Sequence, residues 1–159
     1  MKDMNPMIAR DLMTSHVLTC PAHESLALAA QVMWDADVGV VAVVDDQGRI
    51  SGVITDRDVC MAAYTQGRLL RDMVIAEVMC KAVVSCGPDD SIGHIEELMR
   101  RHQVRRIPVV DAERRLLGIV SSNDLARAVH GSRRGQSDLV VTLAAIGHPR
   151  QSLSIPPAA

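Results

Sequence analysis

The chain has 159 residues, 48% hydrophobic and 23% charged, with net charge −2, one Trp, one Tyr and no Phe. That is enough apolar material for one ordinary domain or two very small ones, so wholesale disorder is excluded and the core must be aliphatic. With no block of five or more like charges and almost no aromatic rings, the chain is a poor fit to duplex binding or to base stacking.

In chain order, a short apolar stretch at Val17–Thr19 reads as a strand, and the polar turn Cys20-Pro-Ala-His-Glu-Ser follows it. Leu26 to Met33 is a helical stretch so apolar that burial on more than one side is expected. The β-branched run Val40–Val44, the turn Asp45-Asp46-Gln47-Gly48 and the run Ile50–Ile54 read as a hairpin, after which a helix opens over Asp56–Tyr64. Residues 65–72 are a linker. The same succession then recurs: a strand at Val83–Ser85, a turn through Pro88, and a helix with Ile92, Ile95, Leu98 and Met99 on one face. A hairpin of Ile107–Val110 and Leu116–Val120 and a helix over Ser122–Val129 complete it. Asp138–Ile146 is expected to form one more short helix, and Pro149–Ala159 a frayed tail.

The recurrence is a tandem repeat. At an offset of 66, residues 11–63 lie over 77–129 without a gap, and thirteen of the 53 positions are identical, among them Met13/Met79, Cys20/Cys86, Gly52/Gly118 and Asp58/Asp124. Each copy is a β-α-β-β-α unit too small to cover its own sheet. The expected fold is therefore α+β, two pseudo-symmetric repeats packed through their sheets into one module. The predicted boundaries are 8–64 and 73–130 for the repeats, 65–72 for the linker and 131–159 for the C-terminal segment.

Each copy ends its last strand in the same motif, Gly52-Val-Ile-Thr55-Asp-Arg-Asp58 and Gly118-Ile-Val-Ser121-Ser-Asn-Asp124. A hydroxyl at a helix start suits a phosphate, and a carboxylate one turn on suits a ribose cis-diol. The same spacing is that of a capping box, which needs no ligand. The residues alone leave both readings open.

With these motifs, with Asp11-Leu-Met-Thr and Glu77-Val-Met-Cys before the copies, and with His102-Gln-Val-Arg-Arg-Ile-Pro-Val-Val-Asp111, the chain resembles a tandem pair of CBS domains, the cystathionine β-synthase type modules that form a Bateman module. The resemblance covers about residues 8–130 and is to small stand-alone bacterial proteins of this kind. It implies two clefts between the copies that bind adenosyl ligands: AMP, ADP, ATP, S-adenosylmethionine or, in some members, NAD. Carried over by motif, Asp58 and Asp124 hold ribose hydroxyls, Thr55 and Ser121 lie by ribose or α-phosphate, and Ile54 and Val120 stand beside them. Val17 to Thr19 and Val83 to Ser85 flank adenine. The function implied is a regulatory sensor that signals by conformational or oligomeric change, in a homodimer or with a further protein partner. A ligand-independent dimerisation or interaction module is the alternative.

The copies are not electrostatically equal. Residues 11–63 carry eight acids and two bases, net −6, whereas residues 77–129 carry eight of each, net 0. Arg105 and Arg106 stand where the first copy has Gly39 and Val40, so a polyphosphate should prefer the cleft they overlook; Arg114 and Arg115 read as solvated turn residues.

The apolar runs fall short of a membrane span and the N-terminus lacks an apolar signal region, so a cytoplasmic protein without a membrane partner is expected. Four cysteines without CxxC spacing read as reduced thiols, and no histidine or cysteine spacing suggests a metal. No catalytic constellation is legible, and no enzyme activity is expected.

Overall fold

The structure, a computed structural model, describes residues 7–148. In the first half the chain runs α1 (Ala9–Leu12), β1 (Thr19–Pro21), α2 (Leu26–Asp35), β2 (Val40–Val44), β3 (Ile50–Thr55) and α3 (Asp56–Gln66). A 3-10 turn at Leu70–Asp72 leads to α4 (Ile75–Val78), α5 (Ile92–His102), β4 (Arg106–Val110), β5 (Leu116–Ser121), α6 (Ser122–Ala128) and α7 (Arg133–Gly147). The fold is α+β with two β-α-β-β-α-like repeats, as the sequence predicts.

Both hairpins form with the register that alternation of their aliphatic residues demands. β2 pairs antiparallel with β3 and β4 with β5, and each register slips at the equivalent place, Val43/Val44 and Val109/Val110. β1 lies parallel to β2, pairing Cys20 with Val43. Its position corrects the expected strand at Val17–Thr19: pairing begins at Thr19 because Cys20 is the residue that buries its side chain, while Val17 stays outside the ladder. Val83–Ser85 forms no strand either. There the pairing is reduced to Cys86, which bridges Val109 through hydrogen bonds to Pro108 O and from Val110 N.

The packing units are not the sequence repeats. Ala9 of α1 is buried among Ile95, Met99, Ile107, Val120 and Leu125 of the second repeat, while Met73 and Ile75 are buried among Leu26, Val41, Ile54 and Val59 of the first. The backbone repeats this exchange: Ala9 N–H donates to Asp90 O and Arg10 N–H to Pro88 O, as Ile75 N–H donates to Glu24 O and Ala76 N–H to Ala22 O. Each leading segment thus packs on the other repeat's core. Between the repeats the hairpin turns meet across a pseudo-twofold axis, with Ile50 N–H donating to Arg114 O and Leu116 N–H to Gly48 O, both 3.0 Å.

The helices start where hydroxyls cap them. Ser25, Ser91 and Ser132 accept from the third residue on, Leu28, His94 and Gly135. α2 buries Leu26, Ala29 and Met33 and half-buries Leu28, Ala30 and Val32, in line with its unusually apolar sequence. α7 starts at Arg133, five residues before the expected Asp138. Gly135 within it hides the helical signal, yet the position needs a glycine, since a Cβ there would lie 2.9 Å from Val129. The tail from Pro149 lies outside the described residues.

Candidate functional site

Both motifs form complete capping boxes. Asp58 N–H donates to Thr55 Oγ1 (3.2 Å), and Asp58 Oδ2 accepts from Thr55 N (2.9 Å) and Oγ1 (2.7 Å). In the second repeat Asp124 N–H donates to Ser121 Oγ (3.3 Å), and Asp124 Oδ2 accepts from Ser121 N (2.7 Å) and Oγ (2.5 Å). Capping is therefore a real role of these residues. It engages one carboxylate oxygen of each aspartate, Oδ2, and leaves a ligand role to be decided by what lies opposite.

The glycine that opens each motif admits the exchanged segment. A Cβ on Gly118 would meet Met13 Sδ at 2.6 Å and Thr14 O at 2.9 Å, and one on Gly52 would meet Met79 Sδ at 2.5 Å and Cys80 O at 3.1 Å. Thr14 pairs its backbone with Ile119, and Cys80 pairs with Val53 in the same way. Past Thr14 the chain runs on through His16, Val17 and Leu18, which brings first-repeat residues against the second motif.

The result is a cleft of about 270 Å³ lined by Thr14, His16, Val17, Leu18, Val38, Val40, Arg106, Ile119, Ser121, Asn123, Asp124 and Arg127. Small-molecule pockets commonly measure roughly 300–1,000 Å³, so this cleft lies at the small end of that range. One wall is aliphatic, from Val17, Val38, Val40 and Ile119; the other carries the Ser121 hydroxyl, the Asp124 carboxylate and two guanidinium groups. Arg127 Nη2 donates to Asp124 Oδ1, so both oxygens of that carboxylate are engaged.

Of the residues predicted from sequence, the cleft brings together Val17, Leu18, Arg106, Ser121 and Asp124. Thr55 and Asp58 form the equivalent box beside β3, and Val83 occupies the position in the second repeat that Val17 occupies in the first. Ile54 and Val120 are fully buried in the two cores, which corrects their expected place beside a ligand: strand alternation points them inward. Thr19 pairs with Ala42 in β1, Ser85 lies outside any strand, and Arg105 is exposed and outside the cleft lining, its carbonyl accepting from Ser122 N–H. Arg114 and Arg115 are exposed turn residues, as expected.

Sequence reasoning missed Thr14, His16, Val38, Val40, Ile119, Asn123 and Arg127. Only Arg127 left a signal, since it stands three residues after Asp124 on one helix face. A larger recess of about 420 Å³ opens between α2 and α3 near Trp34, Asp37 and Cys60, but it contains neither hydroxyl–carboxylate pair.

The thiols Cys20 and Cys86 are packing residues. Burial pushes both up, Cys86 to about 11 with the negative charge of Asp90 adding to it, and Cys20 with that of Glu24. All four cysteines are unpaired. Among the described residues no group of three or more His, Cys, Asp or Glu is placed to hold a metal, and no helix is long and apolar enough to cross a membrane.

A hairpin-and-helix unit occurring twice, with exchanged leading segments and a cross-repeat cleft, is the architecture of a paired regulatory domain. The chain belongs to the CBS domain family, whose profile matches residues 9–64 and 75–131. It is similar to the CBS domain-containing protein YhcV of Bacillus subtilis, 39% identical over 117 residues, 74% of this chain and 81% of that protein. Two solved structures resemble it. The CBS domain pair of protein MJ0100 in complex with 5′-methylthioadenosine and S-adenosyl-L-methionine has a TM-score of 0.72, 26% identity, and coverage of 80% of this chain and 99% of that one. Hypoxic Response Protein I with two coordinated zinc ions has a TM-score of 0.70, 34% identity, and coverage of 76% and 98%.

Proposed function

We propose that this protein is a regulatory module that binds an adenosyl ligand in the cleft between its repeats and signals occupancy by a change in how the repeats, or two chains, pack. The observation that carries this is the cleft itself, where the Ser121–Asp124 pair of one repeat faces Val17, Val38 and Val40 of the other. A ligand there touches both halves, so binding free energy couples to their relative arrangement. The aliphatic wall suits a purine face, and the hydroxyl–carboxylate pair suits a ribose.

The ligand class is AMP, ADP, ATP, NAD or S-adenosylmethionine. The adenosyl compounds in the MJ0100 complex favour this class. Thr55 and Asp58 offer a second site by pseudo-symmetry, with Val83 and Val40 near it. The protein works by binding rather than catalysis, as a cytoplasmic homodimer or with a protein partner.

A thermal-shift panel tests the reading. Ligand at about 100 times Kd stabilises the folded state by roughly 2.7 kcal/mol, a visible shift. Absence of any shift with these ligands and 5′-methylthioadenosine at millimolar concentration would sink it. Asp124→Ala and Asp58→Ala are each expected to remove one site.

The alternative is a ligand-independent interaction module. Trp34, 86% exposed, and Tyr64, 81% exposed, on the helices of the first repeat, with Val140 and Val141 on α7, favour it. Under it, alanine at Trp34 and Tyr64 abolishes association while Asp124→Ala does not.

A further inference from the structure

The two carboxylates of the paired motifs are not in the same state. Asp58 uses Oδ2 in its capping box, and the residue three positions on is Met61, which cannot form an ion pair. Asp124 uses Oδ2 in the same way, but Arg127 takes its Oδ1. Arg127 and Met61 are equivalent by the offset of 66. Asp124 is nearly buried, with 8% of its side chain exposed, whereas the Arg127 side chain is 73% exposed and anchored only at its tip. The buried partner is fixed and the exposed one is free to move.

We propose that Arg127 is a specificity-determining latch: it covers Asp124 in the empty cleft, gives way to the ribose diol, and then pairs with an anionic group on the 5′ side of the ligand. This deepens the proposed function and rests on it. The guanidinium occupies an acceptor site on Asp124 Oδ1 that a diol would use, so a diol competes with it there. Moving it into water forfeits an ion pair, and moving it onto a phosphate replaces one charge-assisted pair with another. Arg106 lines the same cleft and adds positive charge. A neutral 5′ group offers no such exchange, so the latch lets the Asp124 cleft discriminate by charge; the Asp58 motif has Met61 at that position and lacks the latch.

The test compares AMP, whose 5′ group is anionic, with 5′-methylthioadenosine, whose 5′ group is neutral, by calorimetric titration. An Asp58→Ala background confines binding to the Asp124 cleft, and the otherwise unsubstituted chain is titrated in parallel. Arg127→Met installs the residue of the first repeat. It is expected to weaken AMP by ten- to a hundredfold, the range of a charge-assisted pair of about 1.5–3 kcal/mol, while 5′-methylthioadenosine binds as well or better. Arg127→Lys should retain part of the AMP preference, and high salt should narrow the preference more in the native chain than in Arg127→Met, which keeps Arg106. If Arg127→Met leaves the ratio of the two affinities unchanged, or weakens both ligands equally, the latch is wrong while the adenosyl site stands. Failure of both ligands to bind the native chain overturns the site and the latch together.

Discussion

Ser121 and Asp124 form a cap and, in the proposed site, also meet the ligand, and the two roles can be separated by measurement. As a cap, Ser121 satisfies the Asp124 N–H, so Ser121→Ala should destabilise the fold by about 1 kcal/mol in denaturant titration. Gly118 is a steric case. A methyl group on its Cα would lie 2.6 Å from Met13 Sδ and 2.9 Å from Thr14 O, so Gly118→Ala should cost about 1–3 kcal/mol by the same measurement. A cost below about 0.5 kcal/mol, the level of an ordinary surface substitution, would mean that the exchanged segment is not held there. The sequence shows the motif glycine and the repeated methionine separately, but not that Met13 serves Gly118 and Met79 serves Gly52, because that contact crosses between the repeats.

At the scale of elements, α7 is what distinguishes the two repeats most. It packs Leu139 and Ile146 into the second core, and Arg100 of α5 donates to Thr142 Oγ1 on it. Its seat includes Glu96, 5% exposed, with Oε1 lacking a hydrogen-bond partner among the described residues. Burial pushes the Glu96 carboxyl above its ordinary 4.5; Arg100 opposes this and Asp138 adds to it. A carboxyl raised in the folded state contributes stability that is complete below its unfolded pKa and is lost as pH rises through the folded one. Glu96→Gln, which mimics the protonated acid at every pH, should therefore match the native chain near pH 4 and exceed it in stability at neutral pH. Equal stability at pH 7 would contradict this. Leu139→Ala should cost about 2–5 kcal/mol if α7 belongs to the core. Helix periodicity makes the apolar half of α7 legible; its start is not, because Arg133 to Ser137 have no apolar face and carry a glycine whose reason is tertiary.

For the whole molecule, the repeat at offset 66 reveals the hairpins, the helices that follow them and the two motifs, since those depend on local pattern. The exchange of leading segments depends on which core receives Ala9 and Ile75, and alternation in sequence carries no such information. The same exchange builds the cleft, which is why Val17 and Asp124 are recognisable as candidates from sequence while Thr14, His16, Val38 and Asn123 are not. The strand expected at Val17 to Thr19 fails for a related reason: Val17 faces the cleft, and Cys20 packs in its place.

The proposed function requires an adenosyl ligand to bind between the repeats at Asp124. Titration of the ¹⁵N-labelled chain with AMP or S-adenosylmethionine, followed by amide chemical shifts, tests it most directly. Saturable shifts are expected at His16, Val17, Leu18, Val38, Val40, Ser121, Asn123 and Asp124, lost in Asp124→Ala without loss of the folded spectrum. Shifts confined to the α2–α3 recess around Trp34 and Cys60, or no shifts at saturating ligand, would contradict it.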